Sequence, residues 1–427
     1  MYYHLIHFIY RYILQVFPRD APNAEVFVSC TEQSGDELAS ELLGDLPAQY
    51  PSKFLGITGT SLRSKGVTTL LKMEEFCVMG FSAVLKKAPS LLKNYLFTRN
   101  TILKRNPAIC IFVDSPNFHL PLAKGLRMRG YRGKIVQYVC PSVWLYKKGR
   151  VKTLNQYFDE VWGIFPFEKV LVHTLDNLKQ LENPTLAKVN QVKQAAAKSV
   201  STAQTVTLFP GSRKSEIELN FPIMLEVVNT LKKHHPNVNL AISLAHEQFH
   251  DLIVGLLCKQ PHLKEVTLFD CKENFAWMQS STFSLAVSGT ISLELALLAV
   301  PHLCLYKMSN FNHKIACYLL NPPPRYITLP NIIMQVAHWA AKHNPQHEDL
   351  HKLPLQIRLA PPLVAEHFGT DIDREAILIW CCKMLNQKLN AQKRAVLAQL
   401  PDCFSTALTN EWARNMIVEH IHETKDA

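Results

Sequence analysis

The sequence predicts an α/β protein made of two Rossmann-like, doubly wound parallel-sheet domains facing a cleft. Three observations carry that reading. Short apolar runs with β-branched residues alternate with stretches of helical apolar spacing. The alternation stops once, in a stretch rich in Ala, Lys and Gln, and then resumes. The chain has 427 residues, more than one hydrophobic core usually holds. The expected domains are an aromatic N-terminal segment over 1–20 and a first Rossmann-like domain over 21–190. A linker over 191–204, a second Rossmann-like domain over 205–375 and C-terminal helices over 376–427 follow.

Composition narrows the function. Hydrophobic residues make up 48% and charged residues 19%, which describes a globular chain and excludes disorder. The formal net charge of +11 favours an anionic partner: nucleic acid, a phosphorylated metabolite or an acidic lipid surface. There is no zinc-finger spacing, no RNP-like aromatic motif and no long basic run, so nucleic acid is the weakest of these. The 11 cysteines form no CxxC pair, and Cys110, Cys258 and Cys304 lie in apolar runs. They read as small hydrophobes in a reducing compartment, with no metal site of Cys and His.

Met1–Phe17 interleaves aromatic residues with His4, His7 and Arg11. It lacks a small-residue cleavage site and is short for a spanning helix. A membrane-interface segment, a helix packed on the protein's own surface and the remnant of a longer anchor all remain open for it. Strands are expected at Glu25–Ser29, Phe54–Gly59, Ala108–Val113, Lys134–Val139 and Glu160–Phe165. Between them, Glu37–Leu43, Ala88–Lys104 and Leu120–Gly130 read as helices. Met73–Leu85 reads as an apolar loop facing lipid or an apolar ligand. Asp114 follows a buried strand, where α/β sheets place ligands, although an Asp there is also an ordinary turn former. Lys147, Lys148, Arg150 and Lys152 form a basic cluster, either a solvated face or a contact to phosphate or acidic membrane.

The second half is more specific. Val206–Phe209 is a strand, Pro210-Gly211-Ser212 breaks it, and a helical pattern follows Arg213. A strand that turns through glycine into a helix start aims free amides at one point, which suits phosphate, and Arg213 adds a fork of donors. An ordinary turn with a solvated Arg is the competing reading. The design recurs at Ala286–Tyr306, where Ser288, Gly289 and Thr290 open a helix carrying Glu294 on an otherwise apolar face. A carboxylate there can accept both hydroxyls of a ribose. Two phosphate-type turns and a ribose-type acid together indicate nucleotide binding. Strands at Val238–Leu244, Val266–Phe269, Phe283–Val287 and Pro301–Tyr306 complete the second sheet.

The sequence resembles the lipid-A-disaccharide synthase family of GT-B fold glycosyltransferases. The resembling stretches are SGDELASELL at Ser34, MEEFCVMGFSAVL at Met73, VDSPNFHLPLAK at Val113 and YVCPSVWLYKKGRVK at Tyr138. FPFE at Phe165, LFPGSRKSEI at Leu208, SGTISLELALLAVP at Ser288 and RYITLPNII at Arg325 continue it in the family's order. The resemblance implies an inverting, metal-free transfer from UDP-2,3-diacylglucosamine to 2,3-diacylglucosamine 1-phosphate, giving a β(1→6) disaccharide 1-phosphate and UDP, with no cofactor. It implies Asp114 as the base and Ser212, Arg213, Ser288, Gly289, Thr290, Glu294 and Asn331 as the UDP-sugar set. Glu32, Ser34, Gly35, Asp36 and Ser142 would position the acceptor. Phe76, Met79, Phe81, Lys147, Lys148 and Arg150 would meet acyl chains or an anionic membrane, as in a cytoplasmic enzyme on the inner face of a Gram-negative inner membrane. A homodimer is also implied.

The motifs depart from the family in places. Its AGEASGD stands here as CTEQSGD, with Thr31 for Gly and Gln33 for Ala, and its DAPDF stands as DSPNF, with Asn117 for the second Asp. Gln335–Pro361 carries no recognisable counterpart of the family's Gly- and Pro-Glu-containing stretch. Asp371-Ile372-Asp373 resembles a metal motif and reads as a turn. A non-catalytic nucleotide- or lipid-binding scaffold, or another UDP-sugar enzyme of this fold, are the alternatives.

Overall fold

The computed structural model describes residues 25–44, 46, 50, 53–76, 81–143, 149–172, 174–195, 204–260, 263, 265–319, 324–342, 361–404 and 407–423. The N-terminal aromatic segment, Met79, Lys147 and Lys148 therefore lie outside the described residues, as do residues 343–360.

Thirteen strands, among the described residues, form two all-parallel sheets. The first holds β1 (Val26–Cys30), β2 (Phe54–Thr58), β3 (Thr68–Lys72), β4 (Ile109–Val113), β5 (Lys134–Tyr138), β6 (Glu160–Gly163) and β7 (Leu178–Gln180). Their order is β3-β2-β1-β4-β5-β6-β7. The second holds β8 (Thr205–Phe209), β9 (Asn239–Leu244), β10 (Val266–Asp270), β11 (Phe283–Val287), β12 (His302–Lys307) and β13 (Ala365–Gly369), ordered β10-β9-β8-β11-β12-β13. β1, β4, β8 and β11 are buried at every residue. Helices cover both faces of such sheets, which is why these strands read as unbroken apolar runs rather than as alternating ones.

Each sheet anchors its own compact unit. The first unit comprises 1–164, 172–182 and 407–427, and the second 165–171 and 183–406. The division corrects the expected boundaries. The expected 191–204 linker starts inside structure, because Pro184–Ala195 is a helix of the second unit. Val189 on it is fully buried, and Lys188 lies 5.2 Å over the Phe275 ring. Its Ala- and Lys-rich composition marks a half-exposed helix, not a tether. At the other end, Arg374–Leu385 and Gln387–Leu397 stay with the second unit, and Ile377 and Cys381 enter its core. Only Asn410–Glu423 belongs to the first, where the Trp412 ring meets Trp162 edge-on at 6.1 Å.

The apolar loop expected over Met73–Leu85 is also shorter. Met73–Glu75 is a single 3-10 turn, and a helix runs from Phe81 to Arg105. Pro89, which reads as a first-turn residue, lies inside it.

Candidate functional site

In a doubly wound sheet a crevice opens at the carboxyl ends of the two strands where the order reverses. That point lies between β1 and β4 in the first unit and between β8 and β11 in the second. Asp114 lies at the first of these places, and Ser212, Arg213, Ser288, Gly289 and Thr290 lie at the second.

In the first unit Cys30 pairs with Val113, so the turn starting at Thr31 runs beside the one starting at Asp114. Asp114 and Ser115 both adopt left-handed backbone, with φ of 50° and 47°. Successive non-glycine residues in that region are strained. Three side chains support the bend. Gln137 Nε2 donates to the Asp114 carbonyl at 3.0 Å, and His119 Nδ1 donates to the same oxygen at 2.7 Å. Thr31 Oγ1 donates to Ser115 Oγ at 2.6 Å. A carbonyl only accepts, so His119 carries its proton on Nδ1, and Nε2 accepts from Ser29 Oγ at 2.8 Å. Burial pushes the His119 pKa down to about 4, which keeps the ring neutral near pH 7.

Asp114 is half-buried. That burial first, and the neighbouring Glu32 carboxylate second, raise its pKa above the ordinary value, against an opposing hydrogen bond from the Ser115 backbone. A carboxylate raised in this way is a better proton acceptor near neutral pH. Glu32 and Ser34 are exposed at the mouth of this turn.

Asp36 has a different role from the one expected. It is fully buried, and its carboxylate accepts from the amides of Gly59 and Ser61, both at 2.7 Å, and of Leu62 at 3.4 Å. It caps the short helix Thr60–Ser64 across the sheet. A Cβ on Gly59 would sit 2.4 Å from that carboxylate, so glycine is required there. Gly35 is buried in the helix Gln33–Leu42. Ser142 is half-buried beyond β5.

Two residues expected at acyl chains or membrane also have partners inside the first unit. Arg150 Nη2 donates to Asn117 Oδ1 at 2.5 Å, and the Phe76 ring meets Phe118 edge-on at 5.0 Å. Phe81 opens its helix, with its side chain outside the described residues.

In the second unit Phe209 pairs with Ala286, so the two glycine turns are neighbours. Gly211 has φ of 111°, a conformation other residues rarely adopt. Ser212 and Arg213 are exposed, and Arg213 precedes the first residue of the helix Lys214–His234. Glu216 in its first turn reaches back over the bend. It accepts from Arg213 Nη1 at 2.6 Å and from the Ser212 amide at 3.3 Å. Asn220 ties that turn to the sheet, donating to the Glu216 carbonyl at 2.8 Å and accepting from the Lys307 amide at 2.6 Å. An amide and a guanidinium that converge on a carboxylate form an anion site, and the anion here is the protein's own.

The neighbouring turn is more open. Gly289 and Thr290 are exposed and Ser288 half-buried, and a Cβ on Gly289 would meet nothing within 4 Å. Glu294 is half-buried on the helix Thr290–Leu297, whose Leu293 and Leu295 are buried.

Asn331 is a correction. It is fully buried, and its amide donates to the Val364 carbonyl at 2.9 Å and to Glu366 at 2.7 Å. Its oxygen accepts from the Val364 amide at 2.8 Å. The side chain fastens the helix Leu329–Ala340 to the lead-in of β13. Asp373 caps the helix Arg374–Leu385 through the Ala376 amide at 2.9 Å, as a turn residue does. The residues missed were His119, Gln137 and Glu216. Glu216 carried a signal, lying three residues after Arg213 at a helix start. The other two become visible only when β5 and the helix Pro116–Arg127 are placed beside β4.

Two parallel α/β sheets, each with its turns gathered at a strand-order reversal, define a protein of the GT-B glycosyltransferase fold. Solved structures agree with that class at the level of fold. A putative UDP-N-acetylglucosamine 2-epimerase from Listeria monocytogenes is similar with a TM-score of 0.52 at 11% identity, over 94% of this chain and 97% of that one. A trehalose-6-phosphate synthase is similar with a TM-score of 0.51 at 13% identity, over 93% and 99%. The family model for lipid-A-disaccharide synthetase matches residues 26–342. The chain belongs to the lipid-A-disaccharide synthase family. The Chlamydia pneumoniae lipid-A-disaccharide synthase is 34% identical over 316 residues, 72% of this chain and 52% of that protein. The Nitrobacter winogradskyi lipid-A-disaccharide synthase is 28% identical over 302 residues, 69% and 76% respectively. The chain thus spans about half the length of the chlamydial relatives it matches.

Proposed function

We propose that the chain transfers a diacylglucosaminyl group from UDP-2,3-diacylglucosamine to 2,3-diacylglucosamine 1-phosphate, releasing UDP and forming the β(1→6) disaccharide 1-phosphate. The observation that carries this is the paired turns of the second unit, where the Ser212 amide and Arg213 already converge on a carboxylate. Asp114 takes the proton of the acceptor hydroxyl as that oxygen attacks the anomeric carbon. The anomeric configuration inverts in one displacement, so no enzyme nucleophile is needed. Arg213 offsets the charge that grows on the leaving diphosphate. Ser212, Ser288, Gly289 and Thr290 surround the phosphates, and Glu294 accepts the ribose hydroxyls. Glu32 and Ser34 border the acceptor, and Glu32 helps to keep the Asp114 carboxyl basic.

The substrates are acylated and one is anionic, which fits a basic chain working at an acidic bilayer surface. Among the described residues no helix is long and apolar enough to cross a membrane. We place the protein peripherally on the inner face of the inner membrane, with Lys147, Lys148 and the segment over 1–20 as its contacts, and expect a homodimer.

The test is disaccharide formation by the purified full chain from the two lipid substrates. Formation that is abolished in Asp114→Ala while UDP still binds supports the enzyme. UDP binding by the unmutated chain without any transfer supports a nucleotide-binding scaffold instead.

A further inference from the structure

We propose that Gln137 and His119 are positioning residues that hold the Asp114 backbone in its left-handed bend and thereby aim its carboxylate at the acceptor. The proposal rests on the reading of Asp114 as the base. Both side chains donate to one atom, the Asp114 carbonyl oxygen, at 3.0 and 2.7 Å. A carbonyl oxygen has two lone pairs, and both are taken from within the protein. That fixes the peptide plane between Asp114 and Ser115, and with it the direction in which the Asp114 Cα–Cβ bond leaves the bend.

The clamp is itself held. His119 is fully buried, stacked on Phe112 at 5.1 Å and bonded to Ser29. Gln137 is fully buried on β5, and its amide orientation is determined by its surroundings. Its nitrogen faces the carbonyls of Asp114, Tyr138 and Val139, so an exchange of O and N would set three acceptors against a fourth. In the orientation adopted, Gln137 Oε1 is buried and has no hydrogen-bond partner among the described residues. A buried acceptor without a partner is costly. An apolar side chain of similar shape would avoid that cost but would take away the donor that the Asp114, Tyr138 and Val139 carbonyls share. The same residue supplies a donor to the one strained bend that carries the candidate base.

The chemistry needs such rigidity. Proton transfer requires the base within hydrogen-bond reach of the acceptor hydroxyl, and a displacement of about 1 Å costs on the order of a hundredfold in rate. The hydroxyl pair Thr31–Ser115 adds a third fixed point to the same bend, and Thr31 is a departure from the family's motif. The bend in this chain is therefore tied by its own set of side chains.

The experiment uses the full chain, four single variants (Gln137→Met, His119→Gln, His119→Leu and Asp114→Ala) and the Gln137→Met/Asp114→Ala double variant. Gln137→Met is expected to lower kcat by roughly tenfold to a hundredfold. KM and UDP affinity should stay near the parent values. Combined with Asp114→Ala, Gln137→Met should cause no further loss. A crystal structure of Gln137→Met should show Asp114 or Ser115 outside the left-handed region. His119→Gln keeps a donor and is expected to retain more activity than His119→Leu. Should His119→Leu fail to fold, the Gln137 series decides alone.

The proposal is overturned if the bend is unchanged in Gln137→Met. It is equally overturned if kcat holds while Asp114→Ala abolishes transfer, or if the loss from Gln137→Met is the same in the Asp114→Ala background. Full kcat in Asp114→Ala itself removes the base reading, and a bend that shifts in Gln137→Met then leaves the clamp standing without it.

Discussion

The turn after β4 and the turn after β8 both bend through left-handed backbone at a strand-order reversal, and they achieve it by opposite means. At the first, the bend is made by Asp114 and Ser115, and three neighbouring side chains hold it. At the second, Gly211 makes the bend without steric cost, and the supporting residue, Glu216, binds the turn's donors instead of its carbonyl. The difference follows from what each turn presents. A turn that offers amides to an anion needs no side chain at the bend, so glycine serves. A turn that offers a carboxylate cannot be glycine, and the strain must be offset by neighbours.

This contrast can be broken at five points, taken from the largest effect down. Asp114→Ala should reduce transfer by about 10²–10⁴-fold, the usual worth of a positioned base, in a steady-state assay. A residual rate above a tenth of the parent's would remove the carboxylate from the chemistry. Arg213→Ala should cost about 10²–10³-fold in kcat, and Arg213→Lys should restore little of it, because a single ammonium does not reproduce the fork. Recovery with lysine would mean that charge alone suffices.

The glycines themselves come next. Gly211→Ala should lower stability by about 1–3 kcal/mol, because φ is strained for alanine and its Cβ would lie 2.9 Å from Glu216 Cβ. Gly289→Ala should stay within about 0.5 kcal/mol, since that backbone is extended and the space around it is open. Chemical denaturation measures both, and equal losses would end the distinction between the two glycine turns. Glu216→Gln keeps the shape of the side chain and removes its charge. With a rival anion gone, UDP should bind roughly fivefold tighter by calorimetry, a change of about 1 kcal/mol. Weaker binding would show that Glu216 builds the cradle rather than competing for it.

The smallest effect is on stability against pH. The folded-state pKa of Asp114 is raised by burial and by Glu32. As pH climbs through the ordinary carboxylate range the unfolded chain loses this proton first, so the folded state binds more protons and stability falls. The fall ends once pH passes the raised folded value. Asp114→Asn should therefore gain stability over the parent at neutral pH, with the gain vanishing below the ordinary carboxylate range. A gain that persists in acid would point to packing, not ionisation.

The fold was legible because burial on both faces leaves a plain mark in sequence. Runs such as ICIFV and TVTLF have no other comfortable place. The turns were legible through glycine and through residue types that suit anions. The internal use of polar groups was not. Asp36 and Asn331 carry the identity expected of binding residues, yet their partners are amides distant in the chain, such as Gly59 and Val364. Periodicity shows which face of an element is buried, but not which polar atom meets which across a sheet. The same blindness hid Gln137 and His119, and it placed the unit boundary inside a helix.

The helix Asn410–Glu423 bears on how the protein can be dissected. Leu408 bridges to Leu181, the Glu182 amide bonds to the Leu408 carbonyl at 2.7 Å, and Lys179 lies 4.7 Å over the Trp412 ring. A fragment stopped before the second sheet would strip the outer strand β7 of this cover and leave Trp162 without the neighbour that shields it. Anyone wishing to express the front half by itself would have to splice the last helix onto it through a short artificial tether, whereas the middle stretch lifts out as an almost unbroken piece.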